Sequence, residues 1–318
     1  MRGVFLDVST VTDGDLDLDP LRSTLPDWTF NALTADSDVA RSVRDADIVI
    51  SNKAVLDGKT IAGATRLKLI CVAATGTNNV DLNAACNRNI TVCNVRAYAT
   101  TSVVEHVFML ILALNRRLPE YVNALKQGLW QRASRFSMLD FPFRELSGQT
   151  LGIIGYGELG KAVAGMGRAF GMQVMVAERA GLPARPGRCS FETLLAEANV
   201  ISLHCPLTSA TENLLGMTAF RKMRSDAILI NTARGGIVNE AELIQALHAG
   251  EIAGAAVDTL TMEPPVVGNR LLDEQLPNLI VTPHIAWAGL NARQKLIDEL
   301  AANIRAFLEG KPRNLVTR

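Results

Sequence analysis

Three charged side chains in the second half of the chain stand where apolar runs end. Arg234 follows "ILINTA", Glu263 follows "AAVDTLTM" and His284 follows "NLIVTP". Arginine offers a two-pronged donor suited to a carboxylate. A carboxylate beside an imidazole stabilises its cation, and histidine is the usual acid or base near neutral pH. Such a set fits hydride transfer to a carbonyl next to a carboxylate, with the imidazole giving the proton. Of the four histidines, His106 lies in "VVEHVFMLI" and reads as packed in a helix. His248, on the polar face of "AELIQALHAGE", reads as solvated. His204 also ends an apolar run, ahead of "CPLT", and reads as shaping a turn beside a cofactor. His284 stands where the chain leaves its last strand, which places it at an expected interdomain cleft. The glycines after Arg234, Gly235 and Gly236, read as room for substrate to approach.

A second signal is "LGIIGYGELG", residues 151–160, whose Gly155, Gly157 and Gly160 fit G-x-G-x-x-G. The first glycine permits the turn, the second lets backbone approach a pyrophosphate, and the third lets helix and strand pack closely. An apolar run precedes the motif, an amphipathic stretch follows it, and Glu178 ends the next apolar run 18 residues beyond Gly160. That acid would accept hydrogen bonds from the adenosine ribose and repel a 2′-phosphate, which favours NAD(H). Arg179 beside it could pair with that phosphate, so NADP stays open.

These residues need strand ends to hold them. "GVFLDV", "DIVIS", "LKLICVAA" and "ITVCNV" read as buried strands, with helices over 36–46 and 80–88 between them, giving a small parallel α/β domain. The stretch 99–130 predicts a long apolar helix interrupted near Pro119. From Thr150 a second series alternates strands and helices, with helices expected over 158–170, 190–198, 213–223 and 239–250. Residues 291–310 predict a last helix that returns to the first domain. The fold class is therefore α/β with two doubly wound parallel-sheet domains. A Rossmann NAD-binding domain (99–286) is inserted into a split, flavodoxin-like substrate-binding domain (1–98 and 287–318). In the first domain, "SNK" (51–53) and "VAATG" (72–76) fall at strand ends, where Ser51, Asn52 and Lys53 offer donors to a short hydroxylated tail.

Composition narrows the classes. Lys+Arg and Asp+Glu are both 32, so net charge points to no nucleic acid or anionic membrane as partner. The opening "MRGVFLDVST" lacks a signal peptide's apolar core, and no apolar run reaches membrane-spanning length. Five cysteines without a C-x-x-C pair argue against a disulfide framework and for a reducing cytoplasm. No metal-ligand spacing is present.

The ordered set "GYGELG", "LHCPLT", "INTARGGIVNE", "AAVDTLTMEPP" and "TPHIAW" resembles the D-isomer-specific 2-hydroxyacid dehydrogenases across the whole chain. Within that family, "ATGTNNVDL" (74–82) and "HIAWA" (284–288) are most similar to the glycerate dehydrogenase/hydroxypyruvate reductase branch. The resemblance implies a catalytic Arg234, Glu263 and His284. It implies cofactor contacts near Thr75, Glu158, Leu159, Glu178, Cys205, Thr232 and Asp258, beside the glycines and Arg179. Substrate contacts are expected at Asn52, Lys53, Ala74, Thr75, Gly76, Arg234 and His284. It also implies a homodimer formed through the helix around 101–118, and a small 2-oxo or 2-hydroxy acid as substrate. The nucleotide acid is Glu rather than the commoner Asp, and Gly289-Leu290 replaces the small hydroxyl and polar pair of the branch. The chain stops at Arg318, so the regulatory domain of many phosphoglycerate dehydrogenases is not expected. A phosphorylated substrate would need extra cations, for which Lys53 and Arg96 are candidates. An NAD-sensing binding protein of the same fold is the non-enzyme alternative.

Overall fold

The structure, a computed structural model, describes residues 1–316. The chain divides into two compact units: Met1–Ala99 with the segment from Ala288 onward, and Thr100–Trp287. In the first, β1 (Arg2–Phe5), α1 (Asp19–Arg22), β2 (Asp27–Phe30), α2 (Asp36–Val43) and β3 (Ile48–Ser51) are followed by α3 (Gly58–Gly63), β4 (Leu69–Val72), α4 (Leu82–Asn87) and β5 (Thr91–Cys93). The strands form one parallel sheet of order β2-β1-β3-β4-β5, the flavodoxin-like order. β3 and β4 are buried at every position, because helices cover both faces of a parallel sheet and leave no side for polar alternation. β2, "DWTF", is missing from the sequence reading. It is a half-exposed edge strand that lacks the continuous apolar run used to find the others.

The second unit opens with α5 (Thr100–Asn115) and α6 (Leu118–Lys126), with Pro119 in the first turn of α6, where its missing N–H costs nothing. Then come β6 (Thr150–Ile154), α7 (Glu158–Ala169), β7 (Gln173–Val176), α8 (Phe191–Glu197), β8 (Val200–Leu203) and α9 (Met217–Phe220). The unit closes with β9 (Ile228–Asn231), α10 (Glu240–Ala249), β10 (Gly254–Val257), α11 (Arg270–Asp273) and β11 (Leu279–Val281). The parallel order is β11-β10-β9-β8-β6-β7. Beyond β7 a single parallel bridge, Ala177 to Cys189, stands where a third Rossmann strand would lie. The helix expected over 213–223 shrinks to four residues of α9, because Leu215 pairs with Val238 in a bridge instead. The apolar stripe of α5, including Val107, Leu110 and Ile111, is buried against β9, β10 and α7. Each such side chain contributes about 1.5–3 kcal/mol. α12 (Leu290–Leu308) returns to the first unit and packs on α1 and β4. No helix of the described residues is long and apolar enough to cross a membrane.

Candidate active site

The three charged residues leave the carboxyl ends of three neighbouring strands, β9, β10 and β11. Open α/β sheets bind ligands at that end. At the exit of β9, the Asn231 side chain folds the turn. Its Nδ2 donates to the Arg234 carbonyl at 2.9 Å, and its Oδ1 accepts from Ala233 N at 3.1 Å. The Arg234 guanidinium is exposed, with Nη1 donating to Ala233 O at 2.7 Å. A Cβ at Gly235 would lie 2.0 Å from the Leu260 backbone. This corrects the sequence reading: Gly235 is small so that the Arg234 turn can rest on the chain leaving β10, rather than to admit substrate.

Glu263 lies in that β10 loop. Leu260 N donates to its Oε1 at 2.8 Å, and Oε2 lies 2.7 Å from His284 Nδ1. A carboxylate only accepts, so Nδ1 carries the proton and Nε2 is the ring nitrogen left for substrate. The loop itself is held by Glu240 at the start of α10, whose carboxylate accepts from Thr261 N and Oγ1 at 2.6 and 2.8 Å and from Asn269 Nδ2 at 2.7 Å.

His284 has φ of 54°, a left-handed conformation that costs a non-glycine residue free energy unless its surroundings impose it. The imposing group is Asp258, 1% exposed just past β10. Oδ1 accepts from the Thr282 hydroxyl at 2.6 Å and from Ile285 N at 2.9 Å, and Oδ2 accepts from Ala286 N at 2.9 Å. His106 on α5 closes the set, with Nε2 3.1 Å from Thr282 Oγ1 and 3.5 Å from Asp258 Oδ1. Thr282 has one hydrogen and gives it to Asp258, so His106 Nε2 must be the donor to Thr282. Burial pushes His106 below its ordinary titration range, with the Asp258 carboxylate opposing. The sequence reading treated His106 as a bland helix histidine and gave Asp258 to the cofactor. The clamp joining them was invisible because its partners are 152 and 24 residues from Asp258 along the chain. His204 is half-buried, and desolvation pushes it down to about 4, with Nε2 at 2.8 Å from Ser202 Oγ, so it is neutral at physiological pH. His248 pairs with Glu274 at 3.1 Å.

The glycine turn meets the demands of a dinucleotide. Gly155 has φ of +93°, and a Cβ there would sit 2.5 Å from the His204 backbone. A Cβ at Gly160 would lie 2.1 Å from Gly155 O, whereas Gly157, at the N-cap of α7, has nothing within 4 Å. Open backbone at a helix N-terminus is where a pyrophosphate is held. Glu158, whose Oε1 accepts from Thr100 Oγ1, and Leu159 form the first turn of α7. The Thr232 hydroxyl is buried without a hydrogen-bond partner among the described residues, an atom for which a bound amide would supply one. Burial pushes the Cys205 thiol up. Glu178 is 3% exposed, and its two oxygens accept from Arg185 Nε and Nη2 at 2.5 and 2.8 Å. Arg179 follows it and is exposed.

In the first unit, Ser51 and Asn52 do not offer free donors. Ser51 Oγ donates to Ala54 O at 2.6 Å, and Asn52 Nδ2 donates to Thr10 Oγ1 at 2.8 Å. The buried Asp7 carboxylate accepts from Asn52 N, Lys53 N and Ala54 N at 2.9, 2.5 and 2.9 Å. It thereby fixes the turn that presents the exposed Lys53. Beyond β4, the Thr75 hydroxyl donates to Val95 O at 2.9 Å, and Thr75 O accepts from Asn94 Nδ2 at 2.6 Å. These bonds set the turn through Ala74 and Gly76.

The NAD binding domain of the D-isomer specific 2-hydroxyacid dehydrogenases matches residues 108–286. The glycerate dehydrogenase of Methylorubrum extorquens is 43% identical over 308 residues, 95% of this chain and 97% of that one. A hydroxypyruvate reductase of Blautia hydrogenotrophica is 33% identical over 324 residues, covering 100% of both. Among solved structures, the TT0316 protein of Thermus thermophilus matches with a TM-score of 0.87 and 34% identity, covering 100% of each chain.

Asp258→Ala leaves two backbone N–H groups, that of Ala286 buried, and one hydroxyl without their acceptor. It should cost on the order of 3 kcal/mol in urea unfolding and lower kcat by about a hundredfold as His284 loses its fixed backbone. A folded variant with unchanged kcat would show that the loop is held by other contacts.

Proposed function

Because the chain belongs to the D-isomer-specific 2-hydroxyacid dehydrogenases, we propose that Arg234, Glu263 and His284 carry its NAD-dependent chemistry, with a small, unphosphorylated 2-oxo acid as substrate. Membership makes it an oxidoreductase acting on a CH–OH group with NAD as cofactor. The observation that carries the residue assignment is the 2.7 Å contact between Glu263 and His284, made by loops from adjacent strands. Bound NADH supplies the hydride to C2 of the substrate. Arg234 holds the carboxylate through its fork and polarises the carbonyl. His284 Nε2 gives its proton to the oxygen, and Glu263 keeps the imidazole in that orientation and stabilises its cation. In the oxidation direction the same nitrogen takes the hydroxyl proton.

Hydroxypyruvate and glyoxylate are the leading substrates. The named activities of the two curated relatives support hydroxypyruvate. Lys53 and the turn through Ala74, Thr75 and Gly76 are assigned to the substrate's tail, and Asn52 is reassigned to holding the turn that presents Lys53. The nucleotide contacts are assigned to the α7 turn, Cys205, Thr232 and the β7 end, with Asp258 shaping the loop beside them. A cytoplasmic location belongs to the same proposal and rests on the cysteine usage.

The proposal includes a homodimer. The helix around 101–118 buries one stripe of α5 inside its own unit, while Met109 and Leu118 stay exposed on that stretch. On α6 and just past it, Leu118, Val122, Leu125 and Leu129 are exposed at helical spacing on one face. Trp130, Phe136 and Leu139 of the following arm are exposed as well. A contiguous exposed apolar face marks an association surface, and one shared by two copies of the same chain closes with twofold symmetry.

His284→Ala should lower kcat by about three or more orders of magnitude while NADH titration gives the wild-type affinity; a folded variant with near-normal turnover refutes the assignment. In a panel of 2-oxo acids, hydroxypyruvate should exceed pyruvate in kcat/KM and 3-phosphohydroxypyruvate should be poor. A best activity on phenylpyruvate or a branched acid rejects the small-substrate reading, and no turnover on any member favours a sensing protein. Leu125→Asp should give monomers by sedimentation; an unchanged mass moves the interface elsewhere.

A further inference from the structure

The acid that ends β7 is not presented as a bare charge. Arg185 grips both Glu178 oxygens in a fork, with Nε and Nη2 at 2.5 and 2.8 Å. Arg179 N donates to Oε1 at 3.0 Å, and Arg188 Nη1 lies 3.7 Å away. The Arg185 guanidinium and the Arg179 N–H hold the carboxyl at about 2, so it is ionised and internally neutralised across the working range. The segment that does this is tied at both ends, Glu178 N to Cys189 O at 2.8 Å and Cys189 N to Val176 O at 2.9 Å. Arg188 Nη1 also donates to Ala177 O at 3.3 Å. Residues 178–188, "ERAGLPARPGR", hold three arginines and one carboxylate, leaving two positive charges. Among the described residues, the Arg179 guanidinium has no ion-pair partner.

An acid at this place in a dinucleotide unit selects NAD in two ways: it accepts the ribose hydroxyls and it repels a 2′-phosphate. Here both effects are suppressed, since a guanidinium takes the oxygens and two arginines meet the charge. Resting on the nucleotide site of the proposed function, we propose that the Glu178–Arg185 pair, backed by Arg188, makes segment 179–188 a receptor for the 2′-phosphate. The enzyme accordingly accepts NADPH alongside NADH. Arg179 supplies an exposed fork for the phosphate dianion. Arg185, with one face on Glu178, keeps donors for a second contact, because a guanidinium carries five N–H groups and the carboxylate takes two. Glu178 thus becomes a positioning residue that holds Arg185.

The test is fluorescence titration of the full chain with NADH and NADPH, without substrate, at low and at moderate salt. The wild type should bind NADPH within about tenfold of NADH, and added salt should weaken NADPH more. Arg179→Ala should weaken NADPH about tenfold more than it weakens NADH. Arg185→Ala removes a donor and uncovers Glu178, so the loss should be larger, about a hundredfold for NADPH. Adding Glu178→Gln to that variant should restore about tenfold, because the uncovered charge is gone; this also separates electrostatics from misfolding. A wild type that binds NADH but binds NADPH more than a hundredfold weaker overturns the proposal, as does Arg185→Ala weakening both nucleotides equally. A wild type that binds neither overturns the nucleotide site and this inference with it.

Discussion

The buried carboxylate of Asp258 is the constraint around which the site is arranged. A charge-bearing group that is 1% exposed must have its acceptors filled, and here the donors come from the chain just past β11. Satisfying Asp258 therefore dictates the path of residues 282–286, including the left-handed backbone at His284. That path brings Nδ1 onto Glu263. His106, reaching in from α5, seals the polar cluster from the side of the helix. The strain at His284 and the order of the proton-donating ring share one cause.

The parallel sheet supplies the rest. Because β9, β10 and β11 run side by side in one direction, their three exits emerge together, and the residues that bear the cation, the acid and the imidazole start from neighbouring strand ends. Close backbone contact at Gly235 locks the first exit to the second. Glu240 secures the second from α10. The site is thus supported by regular elements at each exit, which suits chemistry that depends on fixed donor positions.

Much of this was legible in the sequence because it rests on local pattern. Continuous apolar runs marked the buried strands, the glycine spacing marked the α7 turn, and the charges after apolar runs marked the strand exits. What escaped depends on partners distant in sequence. The edge strand β2 lacks an apolar run, and Asn52 looked like a free donor because Thr10 and Asp7, its actual partners, lie 42 and 45 residues away. The Glu178–Arg185 pair escaped for a different reason. It is local, seven residues apart, but a loop of glycine and proline has no period from which side-chain direction can be read.

Glu263 is the residue on which the chemical reading turns, since one of its oxygens bears directly on the imidazole. The direct measurement is the single-turnover rate of hydride transfer, followed by NADH absorbance, in Glu263→Gln. The account predicts a rate lower by about a hundredfold or more, with NADH affinity unchanged and a larger primary isotope effect from deuterated cofactor. A hydride-transfer rate equal to that of the wild type would contradict it.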